Sequence, residues 1–170
     1  EIIPINHVTD GAACTVLLAE KFINDENSLM IANCDQYVSV SIDDYLAKMI
    51  ENQYDGYIMT MTAEDPKWSF VRLNGQNEVI EVVEKKVVSN EATVGIYNYK
   101  HGSQFVKAAK EMINANDRVN NEFYVAPAYN YMIREKLRVG YMNIGSDRNG
   151  MYGLGVPEDL TYFNSLDQIL

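Results

Sequence analysis

The segment Ser28–Cys34 (SLMIANC) is a short apolar run that follows the turn-rich Asn24–Asn27 and stops abruptly at Asp35. A run of that length, bounded by turn residues, is too short for a typical helix and predicts a buried strand, of the kind found in a parallel sheet covered on both faces. A strand that ends on a carboxylate delivers it to the C-terminal edge of the sheet, where ligands bind in open α/β folds. A single aspartate there suits a hard divalent cation such as magnesium, which takes one or two carboxylates together with substrate phosphates. The competing reading is a carboxylate that only caps a turn, and spacing alone does not separate the two.

The rest of the chain sets the frame for that strand. Glu1–Ile5 reads as a short strand, Thr9-Asp10-Gly11 as a turn, and Ala12–Phe22 as one helix that is apolar almost all round. Asp43-Asp44 open an amphipathic helix to about Asn52, with Tyr45, Leu46, Met49 and Ile50 on its apolar side. Asp55–Ala63 alternates like a strand. Ser69–Leu73 and Glu78–Glu84 form a hairpin about Asn74-Gly75. Thr93–Tyr99 is a strand, Gly102–Ile113 a helix, and Pro127 starts a helix to about Lys136. Val139–Ile144 is a strand, and Pro157 begins the last helix with Glu158 and Asp159 at its positive end. Strands and helices alternate first and strand-rich segments follow. The expected fold is α/β: a mostly parallel central sheet flanked by helices, with an antiparallel β insertion, in one domain over residues 1–170.

Composition removes several classes of function. A formal charge of −10 argues against nucleic acid, whose backbone is met by clustered Lys and Arg. It leaves room for a small phosphorylated substrate in a locally basic or metal-bridged pocket. No run of about 18 apolar residues is present, so no membrane span is expected. The first residues lack a signal peptide's pattern, and opening on Glu1 suggests a fragment. Cys14 and Cys34 have no CxxC spacing and read as buried cytosolic thiols.

Three further features could carry chemistry. Thr9-Asp10-Gly11-Ala12-Ala13 is a small-residue turn entering a helix, suited to an anion or a nucleotide edge, or simply to an N-cap from Thr9 or Asp10. Glu84-Lys85-Lys86 could pair a hydroxyl-binding carboxylate with a phosphate-neutralising ammonium, although such runs are usually solvated charge. Gly95, inside a strand, marks a bulge or a close approach of a ligand to backbone.

Taken in order, TDGAA, NCDQ, WSFV, EKK, TVGIY, NEFYVAP and GVPEDL resemble the nucleotidyltransferases that make nucleotide sugars, including glucose-1-phosphate thymidylyltransferases. The resemblance runs from about Thr9 to the C-terminus. It implies a Rossmann-like domain of which this chain is the C-terminal part. It also implies an activity that joins a nucleoside triphosphate to a sugar 1-phosphate for polysaccharide biosynthesis in the cytoplasm. Position by position, it implies that Gly11 and Ala12 lie against the nucleotide base and that Asp35 binds magnesium as the catalytic carboxylate. Glu84 and Lys85 would hold sugar hydroxyls and the sugar phosphate, Gly95 would approach the sugar ring, and Glu122 would face the sugar. A homo-oligomer is compatible with this assignment; nucleic acid and membrane partners are not expected.

Three departures from the family pattern stand out. Ser69 replaces a glycine whose backbone contacts the sugar, and Gly153 stands where relatives carry a second metal-binding aspartate, with Asp147 as a candidate substitute. Glu158 and Asp159 read instead as charge at a helix N-terminus. The family's glycine-rich loop with its Arg and downstream Lys has no counterpart in residues 1–170, so this segment alone is expected to be inactive. Two alternatives are a sugar-nucleotide-dependent glycosyltransferase, against which the single carboxylate of Asn33-Cys34-Asp35 counts, and a non-catalytic domain that keeps the fold.

Overall fold

The computed structural model describes residues 1–166. Its centre is one mixed sheet in the order β2-β8-β7-β3-β6-β4-β5, with β1 also paired to β6. The strands are β1 (Leu29–Ala32), β2 (Gln36–Val38), β3 (Gly56–Thr62), β4 (Ser69–Leu73), β5 (Val79–Glu84), β6 (Glu91–Tyr99), β7 (Val139–Asp147) and β8 (Gly150–Gly153). The helices are α1 (Ala12–Leu17), α2 (Glu20–Ile23), α3 (Ile42–Glu51), α4 (Gly102–Asn114), α5 (Tyr129–Arg134) and α6 (Pro157–Asn164). A 3-10 turn over Ala126–Ala128 leads into α5.

β3 and β6 form the hinge of the design. β3 is buried from Gly56 to Met61 because helices cover both faces, so its alternation of Tyr, Met and Thr sorts side chains between two cores. On one face Ile58, Tyr97 and Tyr99 pack with Phe105 and Met112 of α4 and Tyr129 of α5. On the other, Tyr57, Met59, Met61, Val94 and Ile96 pack with Tyr45 and Met49 of α3. Two of the buried phenols donate to backbone carbonyls, as buried hydroxyls generally do, while the Tyr99 hydroxyl has no hydrogen-bond partner among the described residues. Tyr45 Oη donates to the Tyr57 carbonyl at 2.8 Å, and Tyr129 Oη donates to the Asn98 carbonyl at 2.8 Å.

The α/β class, the flanking helices and the β4/β5 hairpin stand as expected. The share of parallel pairing is smaller than expected. β3 pairs in parallel with β7, and β7 briefly with β8, while β1/β6, β2/β8, β3/β6, β4/β5 and β4/β6 are antiparallel. β1 is accordingly not buried on both faces. Leu29 and Ile31 are half-buried toward the α4 side, whereas Met30 and Ala32 are exposed.

Other expectations need correcting. Residues 1–5 form no strand, because Ile2 and Ile5 find no ladder and remain exposed. The first helix breaks in two at Leu18-Ala19, where the amides of Leu18 and Ala19 reach back three residues to Thr15 and Val16 and tighten the turn. α3 begins one residue after Ser41, whose hydroxyl accepts from the Asp44 amide at 3.2 Å. Of its four expected apolar contacts, Tyr45 and Met49 are buried and Leu46 packs at the margin, but Ile50 is 75% exposed. β2 and β8 are absent from the sequence reading; both are short, and glycines flank β8. Cys14 is half-buried and Cys34 exposed, so neither is the buried thiol expected. Among the described residues no helix is long and apolar enough to cross a membrane.

Candidate functional site

The β4/β5 hairpin sets the floor of the site. Asn74 closes it by accepting from the amides of Gln76 at 2.8 Å and Glu78 at 3.0 Å, an Asx-type turn. That register places Ser69, the first residue of β4, directly opposite Glu84, the last of β5. Cross-strand partners share a face, so the Ser69 hydroxyl donates to the Glu84 carboxylate. Both side chains are buried, as is Thr93 beside them. Thr93 Oγ1 and Tyr97 Oη are 3.0 Å apart across the irregular part of β6. Burial raises the Glu84 carboxyl above its ordinary value, and Glu122 adds to this. The Ser69 hydroxyl and the Lys85 charge pull it back. Burial likewise pushes the Tyr97 phenol up to about 12.

The walls come from four other segments. Immediately after Glu84, Lys85 takes a left-handed conformation (φ 54°) that turns it out of the strand, and its amide donates to the Trp68 carbonyl at 3.1 Å. Its ammonium then reaches Tyr124 Oη at 2.6 Å and sits 4.7 Å from that ring's centroid. In β6, Gly95 has φ +81°, and a Cβ there would collide with the side-chain amide of Asn33, whose own backbone amide donates to the Gly95 carbonyl at 3.0 Å. Gly11 (φ +125°) packs so closely on Phe123 that a Cβ would lie 2.5 Å from its carbonyl oxygen. This docking carries the start of α1 to the segment 124–126.

The result is a cavity of about 280 Å³ lined by Ala12, Asn33, Trp68, Ser69, Glu84, Thr93, Gly95, Tyr97 and Tyr124, among others. Of the residues expected from the sequence, Ala12, Glu84 and Gly95 line it. Lys85 joins it through Tyr124, and Gly11 stands one residue behind Ala12. Glu122 is exposed, close enough to act electrostatically on Glu84 and Lys85. The N-terminus of α1 offers less to an anion than its sequence suggests, since the Ala13 amide is already given to the Phe123 carbonyl at 3.0 Å. Neither Thr9 nor Asp10 caps it: Gly11 holds that position, and Thr9 Oγ1 donates to the Gly11 carbonyl at 3.0 Å.

Asp35 lies outside the cavity wall, two residues beyond Asn33, in the bend between β1 and β2. Its carbonyl accepts from the Leu154 amide at 2.8 Å. Its carboxylate is exposed and, among the described residues, has no hydrogen-bond or ion-pair partner. It rests against Gly155, where a Cβ would come within 2.7 Å of Oδ2. Asp159 lies near Gly153 and is paired with Arg148 at 3.0 Å. Asp147 is exposed at the end of β7. Among the described residues no group of three or more metal-ligating side chains forms.

Asn33, Thr93, Tyr97 and Tyr124 were missed as individual site residues. Their segments were visible in the sequence, but only the pairing of β1 with β6 and the turn at Lys85 aim these side chains at one point.

The comparisons agree with this architecture. The model of the nucleotidyl transferase family matches residues 3–147. A nucleoside-diphosphate-sugar pyrophosphorylase from Vibrio cholerae RC9 shares 26% identity at a TM-score of 0.78, over 94% of this chain and 66% of that one. A Bacillus anthracis protein described as a glucose-1-phosphate thymidylyltransferase, solved with a sucrose, shares the fold at 18% identity and a TM-score of 0.72, over 94% of this chain and 62% of that one. A UDP-glucose pyrophosphorylase complexed with UDP-glucose does so at 16% and 0.70, over 92% of this chain and 63% of that one. The chain therefore spans slightly less than two thirds of the length of these solved proteins. No curated protein sequence matches it. With the family model matched over most of its length, the chain belongs to the nucleotidyl transferase family.

Proposed function

We propose that this chain supplies the acceptor-binding and metal-carboxylate part of an enzyme that transfers a nucleotidyl group from a nucleoside triphosphate to a sugar 1-phosphate. The products are a nucleotide sugar, destined for polysaccharide building in the cytoplasm, and pyrophosphate. The observation that carries this reading is the buried polar floor of Ser69, Glu84, Thr93 and Tyr97 beneath a cavity of about 280 Å³, a size that suits a monosaccharide. The Vibrio cholerae neighbour, by its printed name, is a nucleoside-diphosphate-sugar pyrophosphorylase, which supports the same chemistry.

In this reading Glu84 accepts hydrogen bonds from sugar hydroxyls, and Lys85 faces the acceptor phosphate. Glu122, nearby, biases both. Gly95 lets the sugar ring approach the β6 backbone, while Gly11 and Ala12 face the base of the nucleotide. A phosphate oxygen of the acceptor attacks the α-phosphorus in line. The new O–P bond forms as the bond to the bridging oxygen breaks, and pyrophosphate leaves with that electron pair. The ionised acceptor needs no general base, so the protein works by positioning and electrostatics.

Magnesium fits Asp35, because that carboxylate is exposed, has no partner among the described residues and is held against a residue without a side chain. When bound, the ion would offset the mutual repulsion of the reacting phosphates. Asp35→Asn in an enzyme that includes the triphosphate-binding loop is expected to abolish turnover, and near-normal turnover would sink the assignment. Residues 1–170 alone are expected to show no measurable pyrophosphorolysis. A non-catalytic domain is the second reading, favoured by Gly153 and by the engagement of Asp159 with Arg148. Titration calorimetry with triphosphates and sugar 1-phosphates separates the two, since such a domain should bind neither.

A further inference from the structure

The cavity is electrically asymmetric. Its floor holds the Glu84 carboxylate, which repels phosphate, so a phosphorylated acceptor must enter with its phosphate toward the mouth. Two ammonium groups stand on the aromatic residues that wall the cavity. Lys85 lies over Tyr124, as described. Lys67, itself a lining residue, holds its Nζ 4.9 Å from the ring of Trp68. Among the described residues its only ion pair is with Asp65 at 3.5 Å, where both side chains are more than half exposed. Such a pair contributes little and is readily exchanged for a doubly charged phosphate.

We propose that Lys67 binds substrate phosphate, forming with Lys85 a two-ammonium clamp at the mouth of the Glu84 cavity. Nothing in the sequence reading singled Lys67 out; it is identified by its position over Trp68 and on the cavity wall. The clamp divides the acceptor's recognition between its ends: hydrogen-bond donors go down to Glu84, and the phosphate stays up between Lys67 and Lys85. This rests on the acceptor reading given above.

Trp68 is the chain's single tryptophan, so its fluorescence reports on this cavity directly. The test is a fluorescence titration with inorganic phosphate, glucose 1-phosphate and glucose. It uses the unaltered protein, Lys67→Ala, Lys67→Arg and Lys85→Ala. The unaltered protein should respond saturably to both phosphates. Lys67→Ala should weaken both about tenfold, as loss of one charge-assisted contact implies, with Lys67→Arg retaining most of the affinity and glucose binding unmoved. If Lys67→Ala binds both phosphates within twofold of the unaltered protein while Lys85→Ala loses them, the clamp is wrong and the acceptor pocket stands. An equal loss of glucose binding would give Lys67 a packing role and also overturn the proposal. If no phosphate binds to any form, the acceptor reading falls and takes the clamp with it.

Discussion

Glu84 and Asp35 are both acidic residues at strand margins, yet the fold treats them oppositely. Glu84 is buried, faces Ser69 across a ladder and is raised in pKa by its surroundings. Asp35 lies in an exposed bend, with its backbone tied to Leu154 and its carboxylate without a partner among the described residues. In the function proposed above, the difference suits them to different ligands. A carboxylate already desolvated and oriented suits neutral hydroxyl donors, whose contacts it makes without further loss of water. A solvated, uncommitted carboxylate suits a hydrated divalent cation, which dehydrates reluctantly and retains several waters.

Exchanging charge for amide at each position should break this contrast in different observables. The largest effect is expected for Asp35→Asn in an enzyme containing the triphosphate loop: a loss of roughly a thousandfold or more in kcat, with acceptor KM little changed, read by pyrophosphate release. Glu84→Gln should raise the acceptor KM by about 10- to 100-fold, the range for removing a hydrogen bond to a charged group, with a smaller change in kcat. A Glu84→Gln enzyme that loses kcat and keeps KM would reverse the two roles.

A third effect is on stability against pH. Between the ordinary glutamate value and the raised one, native Glu84 keeps a proton that the unfolded chain has released. Its contribution is therefore fully present below the ordinary value and is lost as pH rises through the raised one. Glu84→Gln should flatten that part of a Tm-against-pH curve, and an unchanged slope would show that Glu84 titrates normally. The smallest effect is the stability of Asp35→Asn, expected within about 0.5 kcal/mol of the parent by urea unfolding, as for a surface side chain without partners.

The same contrast explains what the sequence made legible. Asp35 stood out because an apolar run stops on it, a local signal. Glu84 stood out only through the order of motifs, since EKK by itself reads as solvated charge. Its burial depends on the register with Ser69, which the Asn74 turn and the bulge between Arg72 and Leu73 set together and which no single segment announces. Thr93 and Tyr97 meet across the irregularity at Gly95, and Lys67 comes to the cavity beside Trp68, over whose ring it lies. The long strands and α3, α4 and α6 follow from periodicity and caps. The split of the first helix and the antiparallel setting of β1 do not, because tertiary pairing decides them. Of the residues the resemblance named, Ala12, Glu84 and Gly95 line the cavity, whereas Asp35 stands beside it.

The most direct test of this division is an amide-resolved NMR titration of the chain with glucose 1-phosphate and, separately, with Mn²⁺ at low stoichiometry. The account predicts sugar-phosphate shifts centred on Trp68, Ser69, Glu84 and Gly95, and paramagnetic broadening centred on Cys34–Gln36. Broadening centred on Glu84, or sugar-phosphate shifts gathered at Asp35 with the cavity silent, would contradict it.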